Sequence, residues 1–157
     1  MKLPRYLGRR LAAVAGALAV MAGIMLAGPT TPAQAYTFTY VKNSVTKKCL
    51  DHSNSNGLRA ITCNGGNYQK WYTPNGSSYL KNVATGKCLD HSNSYGLRAI
   101  TCNGGNYQRW TWAVYSSENG YAFKNYATQK CLDHSTAYGL RAITCTTSVH
   151  QDWWLNW

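Results

Sequence analysis

A carboxylate and a guanidinium recur together three times in this sequence at a constant spacing. The first copy is CLDHSNSNGLRAITC, residues 49–63, where Asp51 is followed eight residues later by Arg59. The pattern returns at residues 88–102 and 131–145, as CLDHSNSYGLRAITC and CLDHSTAYGLRAITC. A fixed carboxylate can accept hydrogen bonds from two adjacent hydroxyl groups, and charge-assisted bonds are the stronger kind. The motif therefore suits a saccharide as its ligand.

Amide and phenol side chains follow the motif and could complete a binding site. In the first copy they are Asn64, Tyr68 and Gln69. Such groups donate and accept hydrogen bonds, as sugar hydroxyls require. A structural role is the alternative. The aspartate could pair with the arginine across two strands, where an exposed ion pair contributes about 0–1 kcal/mol, and the glutamine could satisfy backbone groups.

Histidine follows the aspartate in every copy, which raises the question of a catalytic carboxylate–imidazole pair. Neighbouring side chains on a strand point to opposite faces, so Asp51 is poorly placed to orient His52. No nucleophile with an adjacent base recurs in the repeats. We therefore predict no enzyme activity, no cofactor and no metal site. The three histidines are expected in loops or turns: His52, His91 and His134.

The six cysteines form pairs with a constant separation of 14 residues. The pairs are Cys49 with Cys63, Cys88 with Cys102, and Cys131 with Cys145. Threefold symmetry leaves two pairing schemes, one within each repeat and one cyclic between repeats. We predict the simpler scheme, a disulfide within each repeat, and closing a loop of this length contributes about 3 kcal/mol. Zinc binding is the other use of cysteine, but the sequence has no C-x-x-C pair.

The repeats must supply the elements that position these residues. Their period is 39 and then 43 residues, with short apolar segments separated by Gly, Asn and Ser, as in short strands. Propellers of similar period need at least about four blades. Four strands in each of three repeats predict an all-β protein, a β-trefoil with repeats at about 36–76, 77–119 and 120–157. The repeats must share one core, and its predicted members are Trp71, Trp110, Trp153, Leu50, Leu89 and Leu132.

Strand alternation predicts where the aspartate points. If Leu50 faces the core, the preceding cysteine and Asp51 face outward. If the two bonded cysteines lie directly opposite each other, Asp51 lies opposite Ile61, with Arg59 diagonally beyond it. The expected site is then an outward-facing carboxylate above a small apolar floor, bordered by a cation.

The N-terminal segment has the pattern of an export signal. A basic head precedes an uncharged apolar run at residues 11–28, and Ala33 and Ala35 have the spacing that a signal peptidase recognises. We predict a secretory signal peptide at residues 1–35 and a secreted domain at residues 36–157. A transmembrane anchor is the alternative, because the run is about long enough to span a bilayer. The mature chain would carry a net charge of +7 and all six cysteines, and disulfides persist in an oxidising compartment.

The segments NYQKW, NYQRW and HQDW place Q-x-W downstream of C-L-D in every repeat. Together these motifs resemble the ricin B-type lectin domain, a carbohydrate-binding β-trefoil. The segments NVATGKCLD and NGGNYQKW are similar to the actinohivin-like group of small bacterial lectins for high-mannose glycans. The resemblance covers residues 36–157 and implies a glycan as partner, with a mannose-containing glycan as one option.

The resemblance also implies roles for single residues. The sugar-binding aspartate of the family and the glutamine of Q-x-W match one residue each in all three repeats. The asparagine and tyrosine of NGGNYQ match only the first two repeats, because the third has Thr146 and His150. With the arginines added, the predicted site residues are Asp51, Arg59, Asn64, Tyr68 and Gln69 in the first repeat, Asp90, Arg98, Asn103, Tyr107 and Gln108 in the second, and Asp133, Arg141 and Gln151 in the third.

Two departures from the family pattern bear on specificity. The larger lectins stack sugar on an aromatic side chain where this chain has isoleucine, for example Ile61. The actinohivin-like group has a tyrosine where this chain has arginine, for example Arg59. An arginine at the rim favours an anionic or differently branched glycan.

Other functions remain as alternatives to a monomeric lectin with up to three equivalent sites. The positive charge and 12 tyrosines fit a polyanion. Export disfavours nucleic acid, so anionic cell-wall polymers or sulfated glycans are the better candidates. A trefoil protease inhibitor would act through a repeat-specific loop, and YSSENG at residues 115–120 is the only such insertion.

Overall fold

The computed structural model of the chain describes residues 38–74, 77–114 and 120–156. The predicted signal peptide and residues 115–119 of the repeat-specific loop lie outside these ranges. The described residues form twelve strands and three short 3₁₀ turns, which confirms the predicted all-β class. They contain no helix that is long and apolar enough to cross a membrane.

The strands follow one another as four per repeat. In the first repeat they are β1 (Phe38–Asn43), β2 (Lys48–Ser53), β3 (Gly57–Thr62) and β4 (Lys70–Tyr72). In the second they are β5 (Lys81–Asn82), β6 (Lys87–Ser92), β7 (Gly96–Thr101) and β8 (Trp110–Val114). In the third they are β9 (Tyr121–Asn125), β10 (Lys130–Ser135), β11 (Gly139–Thr144) and β12 (Trp153–Asn156). A 3₁₀ turn precedes the last strand of each repeat, at Asn67–Gln69, Asn106–Gln108 and Val149–Gln151.

The first and last strands of the repeats form a closed antiparallel ring. Strand β1 pairs with β4 and β12, β4 pairs with β5, and β9 pairs with β8 and β12. A bridge between Tyr79 and Arg109 closes the gap between β5 and β8. The remaining strands form three hairpins, β2–β3, β6–β7 and β10–β11. The second strands of these hairpins, β3, β7 and β11, contact one another. A six-stranded barrel with three hairpins is the predicted β-trefoil.

The predicted core is confirmed. All six of its predicted residues are fully buried in one cluster, together with Val41, Leu80 and Phe123. Each core tryptophan also donates its indole N–H to the backbone carbonyl of the core leucine in its own repeat, at 2.9–3.0 Å. These hydrogen bonds satisfy a buried donor and fix the hairpin against the barrel.

Each predicted disulfide is also present. The three bonds join cysteines within one repeat, with Cα–Cα distances of 5.1, 5.1 and 4.9 Å. The second cysteine of each pair lies just past the end of the hairpin, and the bond ties the end of the second hairpin strand to the start of the first.

The predicted hairpin register is wrong by two residues. Cys49 lies opposite Ile61 rather than its disulfide partner, so Asp51 lies directly opposite Arg59. The register is set by a three-residue turn followed by Gly57, whose φ of 68° is a left-handed conformation that glycine adopts without strain. A two-residue slip keeps the same residues on each face but changes every cross-strand partner.

Histidine and threonine side chains join neighbouring repeats. The three histidines that follow the aspartates lie on strands and are 5–7% exposed, so the prediction of loop or turn positions is wrong. His52 Nδ1 lies 2.8 Å from Thr85 Oγ1 of the next repeat. The equivalent contacts, His91–Thr128 and His134–Thr46, are 2.7 Å each, so all three interfaces use the same contact.

Candidate functional site

Each hairpin carries an ion pair between its aspartate and its arginine. The pairs are Arg59–Asp51, Arg98–Asp90 and Arg141–Asp133, with Nε to Oδ1 distances of 2.8, 2.8 and 2.7 Å. The aspartate side chains are 2% exposed, whereas the arginine side chains are 33–37% exposed. The direct cross-strand register makes this contact possible, and the arginine is the member of the pair that solvent can reach.

The prediction of an outward-facing carboxylate is wrong. Asp51 is 1% exposed because Arg59 lies opposite it and its guanidinium bonds the carboxylate. The same holds in the other two repeats, where the aspartates are 1% and 2% exposed. The carboxylate therefore orients the arginine, and a ligand approaching from solvent would meet the guanidinium first.

Two tyrosines that are not among the predicted site residues lie against two of these arginines. The Arg98 guanidinium carbon lies 4.5 Å from the centre of the Tyr95 ring, and Arg141 has the same distance to Tyr138. Both tyrosines are 73% exposed. The first repeat has Asn56 at this position. The signal is visible in the sequence as the residue before the turn glycine, which differs between otherwise similar repeats.

The three predicted glutamines are structural. In the first repeat, Gln69 Oε1 accepts from the Asn64 backbone N–H at 2.8 Å, and its Nε2 donates to the Thr62 carbonyl at 3.0 Å. The second and third repeats make the same bonds, and all three glutamines are at most 2% exposed. They shape the loop before the 3₁₀ turn and have no surface for a ligand, so the prediction of direct sugar contacts does not fit this geometry.

The predicted asparagines and tyrosines do lie on the surface. Asn64 is exposed and its Oδ1 accepts from the Gly66 N–H at 2.9 Å, which stabilises the loop. Tyr68 and Tyr107 are each 51% exposed on a 3₁₀ turn that packs against the aspartate-bearing strand. The third repeat keeps the loop with Thr146 as the acceptor. In the first two repeats the structure thus packs the Asn-Tyr loop against the aspartate-bearing strand of the hairpin, and the repeat presents an exposed tyrosine and a partly exposed arginine.

Burial lowers the pKa of all three strand histidines below the usual value of 6.5. For His52 this desolvation is opposed by the neighbouring Asp51 charge and assisted by Lys87 of the next repeat. The pKa of His91 and of His134 is lowered in the same way. Because the Thr85 hydroxyl donates its single proton to Asn82 Oδ1, it accepts from His52 Nδ1. The buried imidazoles thus act as neutral links between repeats.

Three concavities lie away from the aspartates. One of about 250 Å³ lies beside the first disulfide and is lined by Tyr40, Lys42 and Gly65. Another, of about 160 Å³, lies beside the third disulfide and includes Lys124. A third, of about 110 Å³, is apolar and opens next to Trp112 on the barrel. None of these three is lined by the ion-paired aspartates.

The described surface is strongly cationic. All 12 lysines and arginines that follow residue 35 lie within the described ranges. The four aspartates of these ranges are at most 7% exposed. Three of the arginines are paired, and the remaining cations, mostly lysines, have no exposed carboxylate among the described residues to balance them. The described residues therefore create a positive electrostatic potential at the surface.

Sequence comparison agrees with the fold and the repeats. The family described as ricin-type β-trefoil lectin domain-like matches residues 27–99 and 67–152. The chain belongs to this family. The predicted membership is thereby confirmed, and a domain of this family is typically a carbohydrate-binding module rather than a catalyst. None of the curated protein sequences matches the chain.

Solved structures show the same fold at low identity. The designed threefold-symmetric protein ThreeFoil is 23% identical, with a TM-score of 0.64 over 75% of this chain and 96% of that chain. The Macrolepiota procera ricin B-like lectin in complex with lactose is 15% identical, with a TM-score of 0.63 over 76% and 94%. SeviL bound to the asialo-GM1 saccharide is 17% identical, with a TM-score of 0.62 over 77% and 97%. In three larger proteins the chain spans only 17–31% of the length.

Proposed function

We propose that the chain is a secreted lectin that binds multivalent glycans through up to three repeat-related surfaces. The observation that carries the proposal is the threefold arrangement of a partly exposed arginine, held by a buried carboxylate. In the first two repeats an exposed tyrosine lies on a 3₁₀ turn that packs against the aspartate-bearing strand. Family membership supports a saccharide as the ligand, and the solved lectins of the same fold bind lactose and an asialo-GM1 saccharide.

Multivalency follows from the symmetry. A shallow single site of this kind typically has millimolar affinity, about −4 kcal/mol. Three sites related by an approximate threefold axis engage separate branches or repeats of one polymer, and linked binding increases the overall affinity by orders of magnitude without any new contact. A polymeric or densely branched glycan is therefore the preferred ligand over a free monosaccharide.

Two forms of the proposal differ in the charge of the glycan. The similarity to the actinohivin-like lectins supports a mannose-containing glycan. A sulfated or carboxylated glycan is supported by the partly exposed arginines and by the burial of all four aspartates in the described ranges. Anionic contacts weaken steeply as salt increases, because each one releases bound counterions. Contacts with a neutral sugar change little.

Salt dependence on two surfaces separates these forms. The purified chain would be passed over immobilised yeast mannan and immobilised heparin at low and high ionic strength. Salt-independent binding to mannan supports the neutral form, and salt-sensitive binding to heparin supports the anionic form. Binding to neither polymer would refute the proposal. Secretion has its own test, since the exported product should begin at Tyr36.

A further inference from the structure

The three hairpins have the same turn but differ at its last residue. The backbone N–H of Asn56, Tyr95 and Tyr138 donates to the Oγ of the serine three residues earlier, at 3.1 Å in every repeat. The glycine that follows has φ between 67° and 69° in all three. The residue at this position therefore changes the surface of the turn and leaves its backbone unaltered.

In the second and third repeats this residue forms a stack with the arginine. The Arg98 guanidinium is held by Asp90 at its Nε and lies over the Tyr95 ring at 4.5 Å, and the third repeat has the same geometry. A ring that is 73% exposed still offers most of its surface to solvent. An ion pair and a cation–π contact together restrict the guanidinium before any ligand arrives.

In the first repeat the stack is missing. Asn56 bonds with its Nδ2 to the side chains of Ser53 and Ser55 at 3.2 and 3.4 Å, and so folds back on the turn. Arg59 keeps its bond to Asp51 and is slightly more exposed, at 37% against 33%. The first hairpin thus presents the cation without the aromatic ring.

We infer that Tyr95 and Tyr138 are ligand-contacting residues that make the three sites unequal. Each ring provides a flat apolar surface for the C–H face of a pyranose, and the arginine beside it donates its remaining N–H groups to oxygen atoms of the same sugar. At the turn, the second and third hairpins therefore bind the sugar more tightly than the first. This inference rests on the proposed lectin function and departs from the prediction of equivalent sites.

Variants that remove the tyrosine rings from the second and third hairpins, or add one to the first, test the inference on the mannan and heparin surfaces. Loss of an aromatic stacking partner costs roughly 3- to 10-fold in affinity per site. The double variant Tyr95→Ala/Tyr138→Ala should therefore bind the recognised polymer at least about tenfold more weakly. The variant Asn56→Tyr should bind it several-fold more tightly, because the turn, its serine anchor and Arg59 are already in place. Tyr95→Phe/Tyr138→Phe, which keeps both rings, should bind like the unaltered chain.

The outcomes separate the inference from the function on which it rests. All four proteins should melt within a few degrees of one another, since the altered residues are exposed. Unchanged binding by the double alanine variant, with Asn56→Tyr also unchanged, would overturn the inference and leave the lectin function standing. Failure of the unaltered chain to bind either polymer would refute the function, and the inference with it.

Discussion

The ion pair between Asp51 and Arg59 leads to a specific prediction about stability. The variant Asp51→Asn keeps the size of the side chain but removes the negative charge that holds Arg59 Nε at 2.8 Å. A hydrogen bond to a charged group contributes about 1.5–3 kcal/mol, and fully exposed pairs contribute about 0–1 kcal/mol. Because the aspartate is 2% exposed and the arginine 37% exposed, we expect a loss of about 1–2 kcal/mol in the free energy of unfolding.

Thermal unfolding followed by circular dichroism or calorimetry measures this loss. For a domain of this size, 1–2 kcal/mol corresponds to a decrease in Tm of about 4–8 °C. The chain supplies internal replicates, because Asp90→Asn and Asp133→Asn remove pairs of the same length and should lower Tm by similar amounts. A double-mutant cycle with Arg59→Met isolates the interaction, since that variant keeps the apolar stem. If Asp51→Asn left Tm unchanged and abolished glycan binding, the carboxylate would be a ligand contact and the reasoning would be refuted.

Two further predictions concern buried polar groups. The pKa of His52, His91 and His134 is lower in the folded chain than in the unfolded chain. The unfolded chain therefore binds more protons than the folded chain as the pH falls. The free energy of unfolding should be constant above about pH 6.5 and decrease below it. Tm measured from about pH 7.5 to 5.0 checks this, and His91→Gln should flatten the slope, whereas a pH-independent Tm would contradict the assignment. The variant Gln108→Leu leaves a backbone N–H and a carbonyl without their partner and should cost about 2–4 kcal/mol in unfolding free energy. Calorimetry measures this loss, and a normal Tm with lost glycan binding would instead indicate a ligand contact.

The repeats made much of the fold predictable. Three copies of one short-strand pattern allow few architectures, and each copy marks its core leucine, tryptophan and cysteines by position. Leu50 and Trp71 are fully buried because a repeat of this length has no core of its own and must share one. The disulfides followed from symmetry, since pairing within a repeat is the simplest scheme that treats all repeats alike.

The surroundings of Asp51 were not predictable from alternation. A period of two assigns residues to faces, and Asp51 does share a face with Arg59 as expected. Alternation does not show which residue of the partner strand lies directly opposite Asp51, because that depends on the length of the turn. It also does not show which side chains cover a face of the hairpin. A direct Arg59 partner buries the carboxylate, whereas a diagonal one would have left it open. His52 was misplaced for a related reason, since its partner Thr85 belongs to the next repeat and is 33 residues away.

The comparison among repeats separates architecture from ligand contacts. The segments C-L-D-H-S and G-L-R-A-I-T-C are identical in all three repeats, and their polar groups are bonded within or between repeats. Replacing a hydrogen-bonded residue in one copy would leave its partner unsatisfied and lower the stability of the fold, which explains why these residues are the same in all copies. Several positions that differ between repeats lie at the surface: Asn56, Tyr95 and Tyr138 are exposed in the turn, and Tyr68 and Tyr107 are exposed in the 3₁₀ turn, where the third repeat has the half-buried His150. Apart from the arginine, which is also partly exposed, the identical residues therefore hold the trefoil together, and the differences mark the surface on which the three sites can acquire different affinities.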